Sequence, residues 1–183
     1  MIVGEPCTGK SSLMKAFMHR FPFVYIPGGG MPRHEHFQSR TVVFGRYDDL
    51  DHQFPGTDRL SMSIKPIAME YAHEYGHKGW HVVFEGQRLG NGKVVRELLD
   101  MGFDVRLGVT MVEADELACR RALERVQSAR MIKMYGTQVK NLVEAWPDLV
   151  TLIRLDRVED RGPAIAWIQG TDRPAIVQSG RAA

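Results

Sequence analysis

The spacing of apolar and polar residues along the chain predicts strands and helices in alternation. Short apolar runs that end at Gly, Pro or a charged residue predict strands at 1–3, 23–27, 41–45, 81–86, 104–110 and 149–155. Apolar residues at helical spacing predict helices at 10–20, 61–75, 92–101, from about 113, and at 137–146. Between these elements, 28–40 is predicted to be a flexible loop and 126–136 a mobile connection. The alternation favours an α/β fold with a mostly parallel central sheet and helices on both faces.

Length and composition fit one compact domain. The chain has 183 residues, and we place the domain at 1–156, followed by a C-terminal tail at 157–183 in which only 164–168 suggests an element. The net charge of +2 is too small to indicate nucleic-acid binding by itself. Two cysteines, the lack of an apolar leader and the lack of a membrane-spanning apolar run predict a cytoplasmic protein.

Residues 4–11 carry "GEPCTGKS", which satisfies G-x-x-x-x-G-K-[ST], the pattern of a nucleotide phosphate-binding loop. Apolar residues precede it and an amphipathic helix follows, as this loop requires; the alternative is a chance match in a glycine-rich turn. Lys10 is predicted to reach the β- and γ-phosphate oxygens of ATP, and the Ser11 hydroxyl to bind Mg²⁺. The predicted nucleotide-binding residues of the loop are Gly4, Pro6, Cys7, Thr8, Gly9, Lys10, Ser11 and Ser12.

The strand predicted at 81–86 ends on a carboxylate, Glu85. Small phosphotransferases often place such an acid beside the phosphates, where it holds metal-bound water. The alternative is that Glu85 only caps the next helix. The sequence has neither an NKxD motif for guanine nor an apolar strand ending in Asp-Glu, which motor ATPases usually carry. The pattern therefore favours a kinase, with Glu85 as a metal-binding and catalytic candidate.

An arginine cluster at about 117–136 is the third candidate feature. Its members are Arg120, Arg121, Arg125 and Arg130. The arrangement resembles the lid helix of nucleotide kinases, which closes arginines over ATP and excludes water. Arg121 is assigned to ATP, and Arg120 and Arg130 to the charge of the transferred phosphoryl group. The alternative is a solvated charged face, because acidic residues are interleaved with the arginines.

A kinase also needs a carboxylate that orients or deprotonates the acceptor hydroxyl. Four candidates follow the strand predicted at 41–45: Asp48, Asp49, Asp51 and Asp58. Loops after parallel strands line the ligand crevice, so Asp48 is the first choice and Asp58 the second. Arg59 is placed to clamp a phosphate on the acceptor side. Most of the four acids are expected to be turn formers or solvated.

Several longer segments carry a resemblance to a known family: "VVFGRYDDLDHQFPGTDRLSM", "VVFEGQRL", the arginine-rich helix and "TQVKNL". With these segments the chain resembles the phage-encoded 5-hydroxymethyluracil DNA kinases, from Gly4 to about Asn141. The resemblance implies a P-loop NTPase fold with an Arg-rich lid. It also implies ATP- and Mg²⁺-dependent phosphorylation of the hydroxymethyl group of 5-hydroxymethyluracil in phage DNA, an early step of thymine hypermodification in the infected host cell.

The same resemblance implies roles for individual residues. The residues concerned are Lys10 and Ser11 at ATP and Mg²⁺, Asp48, Thr57, Asp58 and Arg59 at the acceptor, Glu85 and Arg88 between the two sites, and Arg120 and Arg130 on the lid.

DNA as the acceptor is not visible in the composition. Arg33, with His34, His36 and Arg40, is a candidate basic rim in the loop before the strand at 41–45; the alternative is an ordinary surface loop. Tyr47, Phe37 or Phe54 is a candidate for stacking on a flipped base, with a core role as the alternative. The nearest competing function is a nucleoside or nucleoside-monophosphate kinase with a free small acceptor, and a non-catalytic nucleotide-binding protein is the next.

Overall fold

The structure, a computed structural model, describes residues 1–47, 56–61, 63–123 and 128–170. The strands are β1 (Ile2–Gly4), β2 (Val24–Ile26), β3 (Arg33–His36), β4 (Thr41–Phe44), β5 (His81–Val83), β6 (Leu107–Met111) and β7 (Val150–Arg154). The helices are α1 (Lys10–His19), α2 (Lys65–His77), α3 (Gly92–Asp100), α4 (Ala114–Leu123), α5 (Ala129–Ala145) and α6 (Arg161–Gln169), with 3-10 turns at Thr57–Arg59 and Pro147–Leu149. Within the described ranges, no helix is both long enough and apolar enough to cross a bilayer.

The strands form a mostly parallel sheet. One unit has the parallel order β1-β6-β7, and the other has the order β2-β3-β4-β5. A parallel bridge between Ile2 and Glu85 joins β1 to the end of β5, where the Ile2 amide donates to the Phe84 carbonyl at 2.9 Å. Strands β4, β5, β1, β6 and β7 therefore run in one direction, and β2 and β3 add an antiparallel edge. The predicted α/β fold with a mostly parallel sheet is confirmed.

Helices cover both faces of this sheet, because alternate strand residues point to opposite sides. In β4, Val42 and Phe44 join the apolar cluster that contains residues of α2, α3 and α5. Val43 joins the cluster on the other side, which contains residues of α1 and α6. The predicted apolar face of the first helix is confirmed, since α1 buries Leu13, Met14 and Phe17.

The prediction of a flexible loop at 28–40 is wrong for residues 33–36. Residues Arg33–His36 form β3, which pairs antiparallel with β2 on one side and β4 on the other. The sequence "RHEH" lacks the alternation of apolar residues that marks a strand, yet His34, Glu35 and His36 are buried. Pairing with two neighbouring strands, which is a long-range effect, imposes the extended conformation here.

The prediction of a mobile connection at 126–136 is wrong from Ala129 onward, because α5 begins there rather than at 137. The Ser128 hydroxyl accepts a hydrogen bond from the Met131 amide at 3.3 Å and so caps the helix. The element predicted at 164–168 is part of α6, whose Ala164, Ile165 and Trp167 are buried in the cluster that holds α1.

Candidate active site

The phosphate-binding loop connects the end of β1 to the start of α1. Gly4 has a φ of +156°, and a Cβ at this position would overlap the hydroxyls of Thr8 and Thr110. These two threonines are buried, and their hydroxyl oxygens lie 2.7 Å apart. Gly9 has a φ of +85°, a conformation that glycine adopts without strain. The two glycines therefore permit a tight loop that wraps around the N-terminus of α1.

The N-terminus of α1 has the properties of an anion site. Gly9 is its N-cap and supplies no side-chain hydrogen bond, and the first turn holds no acidic residue. The Lys10 ammonium lies across the loop and donates to the carbonyls of Gly4 at 3.0 Å and Glu5 at 2.8 Å. First-turn amides without a capping side chain, the helix dipole and an adjacent ammonium together fit a nucleotide phosphate.

Glu85 lies directly beside this loop and is 1% exposed. The Ser11 hydroxyl donates to its Oε1 at 3.1 Å, and the Tyr47 hydroxyl donates to the same oxygen at 3.3 Å. Burial raises the pKa of Glu85 to about 7, with nearby Asp58 adding to the rise and Lys10, Ser11 and Tyr47 opposing it. The Ser11 and Glu85 oxygens are hard ligands of the kind that Mg²⁺ prefers, and Mg²⁺ commonly takes one or two protein oxygens together with substrate phosphates.

The 3-10 turn at Thr57–Arg59 is attached to the segment that follows β5. The Thr57 hydroxyl donates to the Glu85 carbonyl at 2.5 Å. Asp58 Oδ1 accepts from the amides of Gln87 at 2.8 Å and Arg88 at 3.2 Å. The structure thus brings the predicted acceptor residues Thr57, Asp58 and Arg59 next to Glu85 and Arg88, although the two segments are far apart in the sequence.

Two predicted acceptor-side residues are held within the fold. The ring of Tyr47 is only 7% exposed and packs edge-on against His34, with centroids 5.7 Å apart, so its faces are not open for base stacking. Arg33 donates to Glu35 Oε1 at 2.9 Å and lies over the ring of Tyr71, 5.1 Å from its centroid. These contacts correct the prediction of a loop-borne basic rim, because Arg33 belongs to a strand that packs against α2.

The predicted lid contacts the phosphate-binding loop through α4. Arg121 Nη2 lies 2.5 Å from Glu5 Oε2 in the loop. Arg120 is held by Glu116 Oε1 at 2.6 Å and by the Leu155 carbonyl at 2.8 Å, close to Gly9. Arg130 is exposed in the first turn of α5, and no contact connects it to the loop in the part of the chain that the structure describes. Arg125, and the candidate acids Asp48, Asp49 and Asp51, lie outside the described residues.

Two side chains that the sequence analysis did not single out help to fix the site. The Gln138 side chain, on α5, donates to the carbonyls of Gln87 at 3.3 Å and Gly90 at 2.7 Å. The Gln87 side chain donates to the Gly4 carbonyl at 3.0 Å. Both glutamines occur inside segments that carry the family resemblance, "EGQRL" and "TQVKNL", and this was the only signal in the sequence that pointed to them.

A phosphate-binding loop at the carboxyl edge of a mostly parallel sheet, with an acid from the adjacent strand and arginines above the loop, defines the class of P-loop kinases. The model of the family P-loop Nucleotide Kinase3 matches residues 1–158, and the chain belongs to this family. Comparison with curated proteins gave no match. Family and fold together support a nucleotide-binding phosphotransferase.

Proposed function

We propose that this protein is an ATP- and Mg²⁺-dependent kinase that phosphorylates the hydroxymethyl group of 5-hydroxymethyluracil in DNA. The observation that carries the proposal is the junction between two distinctive segments of the resemblance, "GTDRLSM" and "EGQRL". Thr57 and Asp58 of the first are hydrogen-bonded to the backbone of Glu85, Gln87 and Arg88 of the second, beside the phosphate-binding loop. Such a junction supports an acceptor site adjacent to ATP.

On the ATP side, the loop amides and the N-terminus of α1 bind phosphate oxygens, and Lys10 neutralises part of their charge. Ser11 and Glu85 would hold Mg²⁺, which supplies positive charge to the phosphates when it is bound. Arg120 and Arg121 lie within reach of the loop from α4. If a phosphate group of the bound nucleotide replaced Glu5 as the partner of Arg121, α4 would move toward the nucleotide.

On the acceptor side, Asp58 positions the backbone at Arg88, and Arg59 and Arg88 bind substrate anions. The acceptor hydroxyl oxygen attacks the γ-phosphorus as the bond from phosphorus to the ADP oxygen breaks. The hydroxyl proton passes to a carboxylate, for which Asp48 is the proposed residue. The Asp48→Asn variant is then expected to abolish turnover and leave ATP affinity largely intact; normal turnover would assign the base role to another acid.

A free nucleotide is the second candidate acceptor, because the name of the family specifies nucleotide kinases. Every ATP-side residue serves both functions equally. The two functions differ only in the size of the acceptor molecule and in the contacts made beyond the reacting base.

The deciding experiment supplies radiolabelled ATP and Mg²⁺ with four acceptors: DNA containing 5-hydroxymethyluracil, matched thymine DNA, the free modified nucleoside and its monophosphate. Label in the modified DNA alone is the expected result. Label in a free nucleoside or nucleotide alone would replace the proposal with the second candidate. Lys10→Met serves as the inactive control in each reaction.

A further inference from the structure

A groove of about 1110 Å³ lies between α3 and α5, outside the phosphate-binding loop. Four basic and two acidic side chains line it: Lys65, Arg88, Lys93, Arg96, Glu97 and Asp100. Lys65 and Glu97 neutralise each other, with Nζ and Oε2 2.5 Å apart. The charge that is left in the groove is therefore predominantly positive.

The uncompensated cations are available to a ligand. Lys93 and Arg96 are exposed on α3, three positions apart, and so lie on neighbouring parts of one helix face. Neither side chain forms an ion pair within the described ranges of the chain. Two exposed cations on a rigid helix, facing a second helix across a groove, form a surface that attracts anions.

The groove is continuous with the proposed acceptor site. Arg88 lines the groove, and its backbone amide is bound by Asp58. Tyr135 of α5 lies beside both residues: burial raises the pKa of this phenol, the Asp58 carboxylate raises it further, and the Arg88 guanidinium opposes the rise. Gln138 fastens α5 to the loop that carries Arg88, which fixes this wall of the groove relative to the site.

We infer that the groove between α3 and α5 binds the phosphate backbone of the DNA strand that carries the acceptor base, an inference that rests on the proposed DNA substrate. The lining residues of α5 extend from Met134 to Ala145. At about 1.5 Å per helical residue this stretch is about 16 Å long. It matches about five nucleotides at the rise of about 3.4 Å per nucleotide in one DNA strand.

The experiment compares a groove double variant, Lys93→Gln with Arg96→Gln, with a control double variant, Lys133→Gln with Lys140→Gln. The control residues are exposed on α5, do not line the groove, and remove the same amount of charge. KM is measured for a trinucleotide and for a longer oligonucleotide, each with a central 5-hydroxymethyluracil, over a series of salt concentrations. Binding of a longer thymine oligonucleotide is measured in parallel by fluorescence anisotropy.

In the groove variant, KM for the longer oligonucleotide is expected to rise roughly tenfold. The slope of log KM against log salt concentration should fall by about 1.4 to 1.8, as the loss of two phosphate contacts predicts. KM for the trinucleotide and for ATP should match the control. Equal KM and equal salt slope in the groove and control variants would overturn the inference and leave the DNA-kinase proposal standing.

The binding measurement separates the two proposals further. If modified DNA is not phosphorylated but the groove variant alone weakens binding of the longer oligonucleotide, the groove binds DNA, and both the proposed reaction and the assignment of an acceptor strand to the groove are overturned. If the unmodified protein binds no oligonucleotide and phosphorylates none, both are overturned.

Discussion

Two strand–loop–helix junctions lie side by side at the carboxyl edge of the sheet, and their helix N-termini are built in opposite ways. At the start of α3, Asn91 Oδ1 accepts from the amides of Lys93 and Val94, each at 3.2 Å. At the start of α1, Gly9 offers no side chain for this purpose. The first helix thus leaves its N-terminal amides to a ligand, whereas α3 satisfies its amides from within the chain.

The loops before these helices differ in the same way. In the loop after β5, a carboxylate from another part of the chain, Asp58, satisfies the amides of Gln87 and Arg88. In the loop after β1, a charged side chain from another part of the chain is a cation, because Arg121 contacts Glu5. The comparison supports our proposal that the first junction binds the nucleotide and that the second positions side chains around it.

The largest expected effect comes from Lys10→Met, which removes the ammonium of the first junction and keeps most of the side-chain volume. Loss of one charged group that stabilises the transferred phosphoryl group is expected to lower kcat/KM by roughly 100-fold or more. The free energy of unfolding should change by about 1 kcal/mol, the typical net contribution of hydrogen bonds such as those that Lys10 donates to the carbonyls of Gly4 and Glu5. Lys15→Met, on the same helix, is the matched control, and an equal loss in both variants would contradict the assignment.

Glu85→Gln tests the contact between the two junctions, in which Glu85 of the second accepts from Ser11 of the first. In the ligand-free protein Glu85 stays protonated up to a pKa of about 7, whereas its ordinary value is 4.5. The raised pKa means that its stabilising contribution is full below about pH 4.5 and is lost as the pH rises through about 7. At about 1.4 kcal/mol per pKa unit, the free energy of unfolding of the unmodified protein should fall by about 3 kcal/mol relative to that of Glu85→Gln.

The measurement for Glu85 is denaturant unfolding of both proteins between pH 4.5 and 8. As the pH rises over this interval, the free energy of unfolding of the unmodified protein should fall relative to that of the variant. Parallel pH curves for the two proteins would show that the Glu85 carboxyl is not shifted.

Asn91→Ala gives the smallest effect and completes the comparison. Loss of the cap of α3 should lower the free energy of unfolding by about 1 kcal/mol, a value typical of N-cap replacements. KM for ATP is expected to stay unchanged, since Asn91 already satisfies these amides from within the chain. Calorimetry and ATP titration together check both points, and a large rise in KM for ATP would show that the two junctions do not have separate roles.

Features encoded by neighbouring residues were predictable from the sequence. The phosphate-binding loop, the buried face of α1 and the strand at 41–44 each depend on a short local pattern, and the structure contains all three elements. Strand β3 was missed because its polar residues are buried only by pairing with β2 and β4. The first two turns of α5 were missed because Gly136 and the polar residues around it resemble a connection in sequence alone.

For the site, the sequence identified residue types and the tertiary structure decided their partners. The sequence by itself determined the loop "GEPCTGKS" and the acid that ends the β5 segment, because both are local consequences of a strand followed by a turn. Only the tertiary structure decided that Glu85 is buried against Ser11 and that Asp58 holds the amides of Gln87 and Arg88. These contacts join residues between 29 and 74 positions apart, and their geometry is set by the packing of parallel strands that no local pattern encodes.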